Sequence, residues 1–172
     1  GESVSVSAGT VKDARTTEKL SGLVVLGDIE PAARVELLKC REHQLPVVLV
    51  NNDQRGIGRI CCVQAENYIL GKIIGEILLR QTPAGGNILA CAGELITPAN
   101  AFSIRGIEDY VQEHDTGRKI YKLYYGYSAK ERDRLHSRLL DLFAAHPDIS
   151  CCCSVTARGS VELARALEEC GL

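Results

Sequence analysis

Methionine and tryptophan are absent from this 172-residue chain, phenylalanine occurs twice, and aromatic residues make up only 5% of it. A core built on large rings is thereby excluded, and packing falls to the aliphatic side chains that dominate a hydrophobic share of 45%. Charge of one sign is also lacking, since 20 Lys and Arg stand against 22 Asp and Glu for a net charge of -2. Without a basic block there is no field to hold phosphates, so the segment is not expected to bind nucleic acid by itself. No apolar run approaches the roughly 20 residues that cross a bilayer, and no positively charged start precedes an apolar signal core, so a soluble segment is expected. With Gly1-Glu2-Ser3 at its start and no methionine, the chain reads as a fragment or a processed product.

Cysteine is not scarce, but the spacing that metals require is missing. The eight cysteines include no Cys-x-x-Cys pair and the four histidines stand far apart, so neither a metal site nor a cofactor is expected. Cys61-Cys62 and Cys151-Cys152-Cys153 fall inside apolar strand-like runs. Adjacent strand residues point to opposite faces and do not easily bridge each other. Reduced, buried thiols in a cytoplasmic protein are the expectation.

What is present is alternation. Strand-length apolar runs at 3 to 8, 22 to 27, 46 to 51, 60 to 63, 87 to 92, 119 to 125 and 150 to 155 are separated by segments of helical period, the pattern of a parallel sheet covered by helices. Residues 31 to 44 place Ala32, Val35, Leu38 and Leu45 near one face, opposite Arg34, Glu36, Lys39 and Arg41. Residues 129 to 146 repeat this with Leu135, Leu139, Leu142 and Phe143, and a last helix carries Val161, Leu163, Ala164 and Leu167 ahead of Gly171. Thr82 to Gly86 is the expected boundary, giving lobes at 1–82 and 83–172.

The run Leu45-Pro46-Val47-Val48-Leu49-Val50 stops abruptly at Asn51-Asn52-Asp53. A buried strand that ends in short polar residues points to a binding edge, because open parallel sheets hold ligands where their strands end. Each asparagine amide both donates and accepts, which suits a polyol, yet asparagine also forms turns readily, and both readings stand. Tyr127 has the same two readings, since Tyr121, Tyr124 and Tyr125 show that its neighbourhood is aromatic for packing as well. Arg105, in the first turns of a helix, is read as a structural anchor. Gly85-Gly86 and Gly56-x-Gly58 lack the spacing of a phosphate loop and are read as turns. Cys40 and His43 fall near one helical face, but no third group orients them, and Glu168-Glu169 and Glu113 with Asp115 suit solvated helix ends. An enzyme is not expected.

Gly22 to Asp28, Leu45 to Asp53, Ala65 to Leu79 and Asp141 to Leu172, with Ser103-Ile104-Arg105-Gly106-Ile107-Glu108-Asp109-Tyr110, resemble in their order the ligand-binding core shared by periplasmic sugar-binding proteins and LacI/GalR-type transcriptional regulators. The resemblance implies an α/β fold of two lobes with Rossmann-like, mainly parallel sheets, the type I periplasmic binding protein-like fold. It also implies an incomplete one, lacking the first strand-helix unit and the carboxyl-terminal return. The chain has Asn51-Asn52 where the family often has an Asp-Arg pair, Ser103 where it has an arginine, and Thr156-Ala157 where it has Asn-Asp; Tyr127 keeps the aromatic that stacks on a sugar. Asn51, Asn52, Ser103, Tyr127 and Thr156 are the ligand-binding residues so implied. The expected function is effector binding, a sugar or another small molecule, in a LacI/GalR-type regulator that works as a homodimer and meets DNA only through a headpiece outside this chain, with no membrane partner. A periplasmic solute-binding protein and an inert sensor module of a signalling protein are the alternatives.

Overall fold

The computed structural model describes residues 5–16, 20–26, 28–29, 31–51, 53–54, 56–126 and 128–172. The chain divides into two compact units, Gly1–Ala65 and Glu66–Leu172. In the first, β1 (Ser5–Val6), α1 (Ala8–Thr16), β2 (Leu23–Leu26), β3 (Asp28–Ile29), α2 (Pro31–Glu42), β4 (Val47–Val50) and β5 (Cys61–Val63) follow one another. β1 pairs with β3, and β2, β4 and β5 form a second sheet in the order β2-β4-β5; every pairing is parallel. Val25, Val47 and Leu49 of this sheet pack on Val11 of α1 and on Ala33, Leu37 and Cys40 of α2. Its other face carries two apolar rows set by register, Val24-Val48-Cys61 and Leu26-Val50-Val63. Val24, Leu26 and Val63 on those rows are exposed.

The second unit runs α3 (Asn67–Gln81), β6 (Asn87–Ala92), α4 (Pro98–His114), β7 (Ile120–Tyr124), α5 (Ala129–Ala145), β8 (Ile149–Ser154) and α6 (Ala157–Cys170). Its sheet is parallel in the order β7-β6-β8. β6 is its keel. Leu89 and Cys91 pack toward Leu135, Leu139 and Phe143 of α5 and Leu163 and Ala166 of α6. Ile88, Ala90 and Ala92 pack toward Leu78 of α3 and Ile104, Ile107 and Val111 of α4. A strand covered on both faces needs an unbroken apolar run, which is why Ile88 to Ala92 contains no polar residue. At the amino edge, Arg118 ties the turn before β6 in place, donating to the carbonyls of Pro83, Gly86 and Thr82 while pairing with Asp115.

Helices α3 and α4 cross at two glycines. A Cβ on Gly71 would meet the Ser103 carbonyl oxygen at 2.2 Å, and one on Gly106 would meet the Tyr68 carbonyl oxygen at 2.2 Å. This backbone-to-backbone approach packs α3 with the elements that follow the boundary expected after residue 82. The helix was assigned to the first lobe, but its Gly71, Gly75 and Leu78 are buried with the second unit's elements.

The parallel α/β expectation holds, and the structure corrects it in detail. The strand expected at 3 to 8 is described only as Ser5–Val6, and a helix, α1, begins at Ala8 with the Ser7 hydroxyl accepting from the Thr10 amide. The buried face of α2 is Ala33, Leu37 and Cys40, whereas Val35 and Leu38 are exposed. On α6 the buried residues are Gly159, Glu162, Leu163 and Ala166, and Val161 is exposed. The eight thiols are unbridged, yet only Cys40 and Cys91 are fully buried, and Cys61 and Cys170 are exposed. Among the described residues no helix is long and apolar enough to cross a membrane.

Two expectations follow from this packing. Gly106→Ala forces a methyl into the Tyr68 carbonyl and should destabilise the chain by about 2 kcal/mol or more in urea titration, overpacking of a close contact typically costing about 1 to 3. Burial pushes the Cys91 and Cys152 thiols up to about 11 and Cys153 up to about 12, against 9.0 for an unperturbed thiol. The unfolded chain therefore releases these protons first, so stability should be full below pH 9.0 and fall as pH rises through the folded values. Urea midpoints that stay level from pH 8 to about 11 would contradict this sign.

Candidate functional site

The three strands of the second unit end together, and each hands over to a helix at the same edge. Their pairing continues one residue further, with the Tyr125 amide donating to the Ala92 carbonyl at 3.1 Å and the Val155 amide to the Cys91 carbonyl at 3.0 Å. Beyond lie the amino ends of α4, α5 and α6. Ser128 caps α5, its hydroxyl accepting from the Glu131 amide at 3.3 Å, and Thr156 caps α6, accepting from the Gly159 amide at 3.2 Å. Convergent strand ends and helix starts are where open α/β sheets hold ligands.

At this edge a cleft of about 320 Å³ opens between α3, the start of α4 and the β8-α6 connection. Asn67, Asn100, Ser103, Ser154, Thr156 and Ser160 supply its polar lining, and Leu70, Ile74, Ala99, Val155 and Ala157 its apolar lining. Among the described residues no charged side chain lines it. Ser103 is 3% exposed and also supplies the carbonyl at the glycine crossing, so its position is set by backbone contact. Asn100 donates from its side-chain amide to the Glu94 carbonyl at 3.0 Å, closing the loop from β6 into α4.

The other wall is a polar knot. The Thr156 hydroxyl lies 2.7 Å from the Tyr125 hydroxyl and 3.3 Å from that of Ser154, while Ser154 donates to the Thr156 carbonyl at 3.0 Å and accepts from its amide at 3.2 Å. A Cβ on Gly159 would stand 2.3 Å from the Ser154 hydroxyl and 2.7 Å from that of Thr156. Only glycine leaves the knot intact. Thr156 thus holds the helix start and borders the cleft at once.

Of the five residues expected to bind ligand, Ser103 and Thr156 line this one cleft. Asn52 and Tyr127 lie outside the described residues. Asn51 belongs to the first unit and takes a left-handed backbone conformation with φ of 71°, its amide donating to the Val63 carbonyl at 2.9 Å. That is the turn conformation asparagine tolerates better than most residues. In the same loop the Asp53 carboxylate pairs with Arg59. Arg105 is exposed and pairs with Asp109 at 3.6 Å, as its structural reading requires. Sequence reasoning missed Asn67, Asn100, Ser154 and Ser160 as lining residues and Tyr125 behind the knot. Their signal was position: all but Tyr125 are short polar residues in a first helical turn or at the last residue of a strand.

The family of the periplasmic binding protein domain matches residues 12–172. The chain belongs to that family. Among solved structures, a glucose-galactose binding protein from Geobacillus stearothermophilus superposes with a TM-score of 0.78 at 21% identity, over 95% of this chain and 57% of that one. A solute-binding protein of an ABC transporter from Agrobacterium vitis, solved with D-fucose bound, gives 0.78 at 16%, over 95% and 56%. A periplasmic sugar-binding protein from Legionella pneumophila gives 0.78 at 20%, over 95% and 59%. The fold is therefore the periplasmic binding protein-like one, and the chain spans a little over half the length of these structures. No curated protein matches the chain. Membership in a family of binding proteins agrees with the expectation that the chain is no enzyme.

The conformation of Asn51 separates a backbone role from a binding role. Asn51→Gly should keep or slightly raise stability, whereas Asn51→Ala should lower it by about 1 kcal/mol, the cost of a left-handed backbone at an ordinary residue. Thermal unfolding of the two variants checks this, and equal midpoints would mean that the turn does not depend on the asparagine.

Proposed function

We propose that the cleft of the second unit is one wall of a site for a small, uncharged, hydroxyl-rich molecule of sugar size, in a protein that binds its ligand without transforming it. The observation that carries this reading is the lining: six hydroxyl or amide side chains, five apolar ones, and no charge. Amides and hydroxyls both donate and accept, matching alcohol groups that do the same, while an anion in this cleft would find no cationic partner. The glucose-galactose binding protein and the D-fucose complex among the structural relatives support a sugar, and the transporter relatives support a solute-binding protein over a regulator.

A second reading is the effector core of a cytoplasmic LacI/GalR-type regulator, dimeric and joined to a DNA-binding headpiece. It is favoured by the eight cysteines, all unbridged, in a chain that an oxidising compartment would tend to cross-link. In that case ligand closure would shift a dimer between two geometries rather than deliver a solute. The flanking coding sequence separates the two: a signal peptide belongs to the transport protein and a helix-turn-helix to the regulator.

The test is thermal shift and calorimetry on the full-length protein with neutral hexoses, pentoses and their acidic counterparts. At least one neutral sugar should raise Tm while its uronic acid does not, and Ser103→Ala should weaken that sugar by about five- to tenfold, the usual effect of one lost hydrogen bond. A site that prefers the acid, or an affinity unchanged by both Ser103→Ala and Asn67→Ala, would defeat the assignment to this cleft.

A further inference from the structure

The polar side chains around the cleft do not offer a ligand the same roles, because hydrogen bonds within the chain already occupy one wall. On the β8-α6 side the Thr156 carbonyl accepts from the Ser160 amide, the Ser160 hydroxyl and the Ser154 hydroxyl, each at 3.0 Å. A serine has one hydroxyl hydrogen and two lone pairs, so both serines have committed their only side-chain donor and keep acceptor capacity alone. For Ser154 that capacity is turned inward, since its oxygen takes the Thr156 amide at 3.2 Å and lies 3.3 Å from the Thr156 hydroxyl. The Thr156 hydroxyl is in turn engaged with Gly159 and Tyr125. Ser160 differs from both: it is exposed, it lines the cleft, and its oxygen accepts from no group among the described residues. On the α3-α4 side, Asn67 and the buried Ser103 line the same cleft with side chains that make no hydrogen bond among the described residues. That wall keeps its donors as well as its acceptors.

Resting on the reading of this cleft as a sugar site, we propose that Ser160 is a specificity-determining residue, an acceptor that selects a ligand hydroxyl donating toward α6. Asn67 and Ser103 then face the part of the ligand whose oxygens carry no hydrogen, a ring or ether oxygen. A ligand hydroxyl that donates to Ser160 adds a bond to those already present. A ligand oxygen without hydrogen gains a bond there only if Ser160 turns its own hydrogen away from the Thr156 carbonyl, so one bond is exchanged for another. The difference is one hydrogen bond, about three- to tenfold in affinity. Opposite, the Ser103 hydroxyl and the Asn67 amide have hydrogens to give, and an oxygen that only accepts is accommodated without loss. The cleft therefore orients its ligand as well as holding it, with free hydroxyl groups toward α6 and the ring oxygen toward α3 and α4.

Calorimetry on the full-length protein tests this with D-glucose, D-galactose, D-fucose and D-ribose, each beside its monodeoxyfluoro derivatives, in which fluorine removes the donor at one position. For a sugar that binds, fluorination at one position should weaken affinity by about three- to tenfold. Ser160→Ala should reduce that loss to about twofold or less, because the acceptor is then missing for sugar and derivative alike. Ser160→Thr keeps the hydroxyl and should keep the loss. Ser103→Ala should weaken sugar and derivative together and leave their ratio in place. In Ser160→Ala the Thr156 carbonyl retains two of its donors, the Ser160 amide and the Ser154 hydroxyl, and circular dichroism checks that the variant folds as the parent does. A fluorination loss that persists in Ser160→Ala, or one that vanishes in Ser103→Ala, overturns the proposal and leaves the sugar site standing. Equal tolerance of fluorine at every position overturns it in the same way. If none of the four sugars binds, the proposal falls together with the reading on which it rests.

Discussion

The contact on which the second unit depends is the crossing of α3 over α4 at Gly71 and Gly106. Neither position has room for a Cβ, since each would come within 2.2 Å of a carbonyl oxygen on the other helix. Two helices that touch through backbone sit closer than the usual 8 to 10 Å between axes, and their relative position is fixed by atoms that have no rotamers. The consequence reaches the cleft directly, because the carbonyl pressed against Gly71 belongs to Ser103. The cleft's α3 and α4 walls are therefore held at a set separation by the same contact that assigns α3 to the second unit.

The opposite wall is held by a different kind of force. Ser154, Thr156 and Tyr125 share hydrogen bonds at the point where β8 ends and α6 begins. Tyr125 is buried among the side chains of α5 and α6, so a hydroxyl rooted in the core fixes the cap of a surface helix. Burying such a hydroxyl without a partner would cost about 1 to 3 kcal/mol, which the Thr156 contact avoids. The two walls thus divide the work between rigid backbone packing on one side and a satisfied polar network on the other. Preorganisation of this sort lowers the ordering cost of a bound ligand.

How much of this was legible in the sequence depended on which signal each element carries. β4 and β6 could be read because a strand buried on one or both faces needs a run of apolar residues that nothing else in the chain imitates. The face of α2 could not be, because Ala32-Val35-Leu38 and Ala33-Leu37-Cys40 are competing apolar rows on one helix and only the packing against Val25 and Leu49 chooses between them. α1 went unread because, of its described side chains, only Val11 is buried, and its start is marked by little more than the Ser7 cap. The lobe boundary is expected at Thr82 to Gly86, where composition changes, whereas the structural division precedes α3. Glycines inside a helix were the overlooked clue, since spacing of four between Gly71 and Gly75 marks a face that another backbone approaches.

The site shows the same division between what local chemistry announces and what only assembly reveals. Ser103 and Thr156 were found from position, one in a helix after a strand and one directly after a strand, and position is what the sheet edge enforces. Asn67 was not, because nothing in its neighbourhood tells that α3 will pass close enough to α4 for its first turn to border the same space as Ser103. The absence of charge from the lining is likewise a property of the assembly. Lys72 and Arg105 lie on the two helices that build the cleft, yet each is drawn to a carboxylate: Glu113 and Asp109. With those cations committed, what faces the cleft is an array of dipoles. Dipoles that both donate and accept discriminate among ligands by the placement of hydroxyl groups rather than by charge, so on the proposed reading the selectivity of this surface would reside in geometry that the glycine crossing and the threonine cap hold fixed.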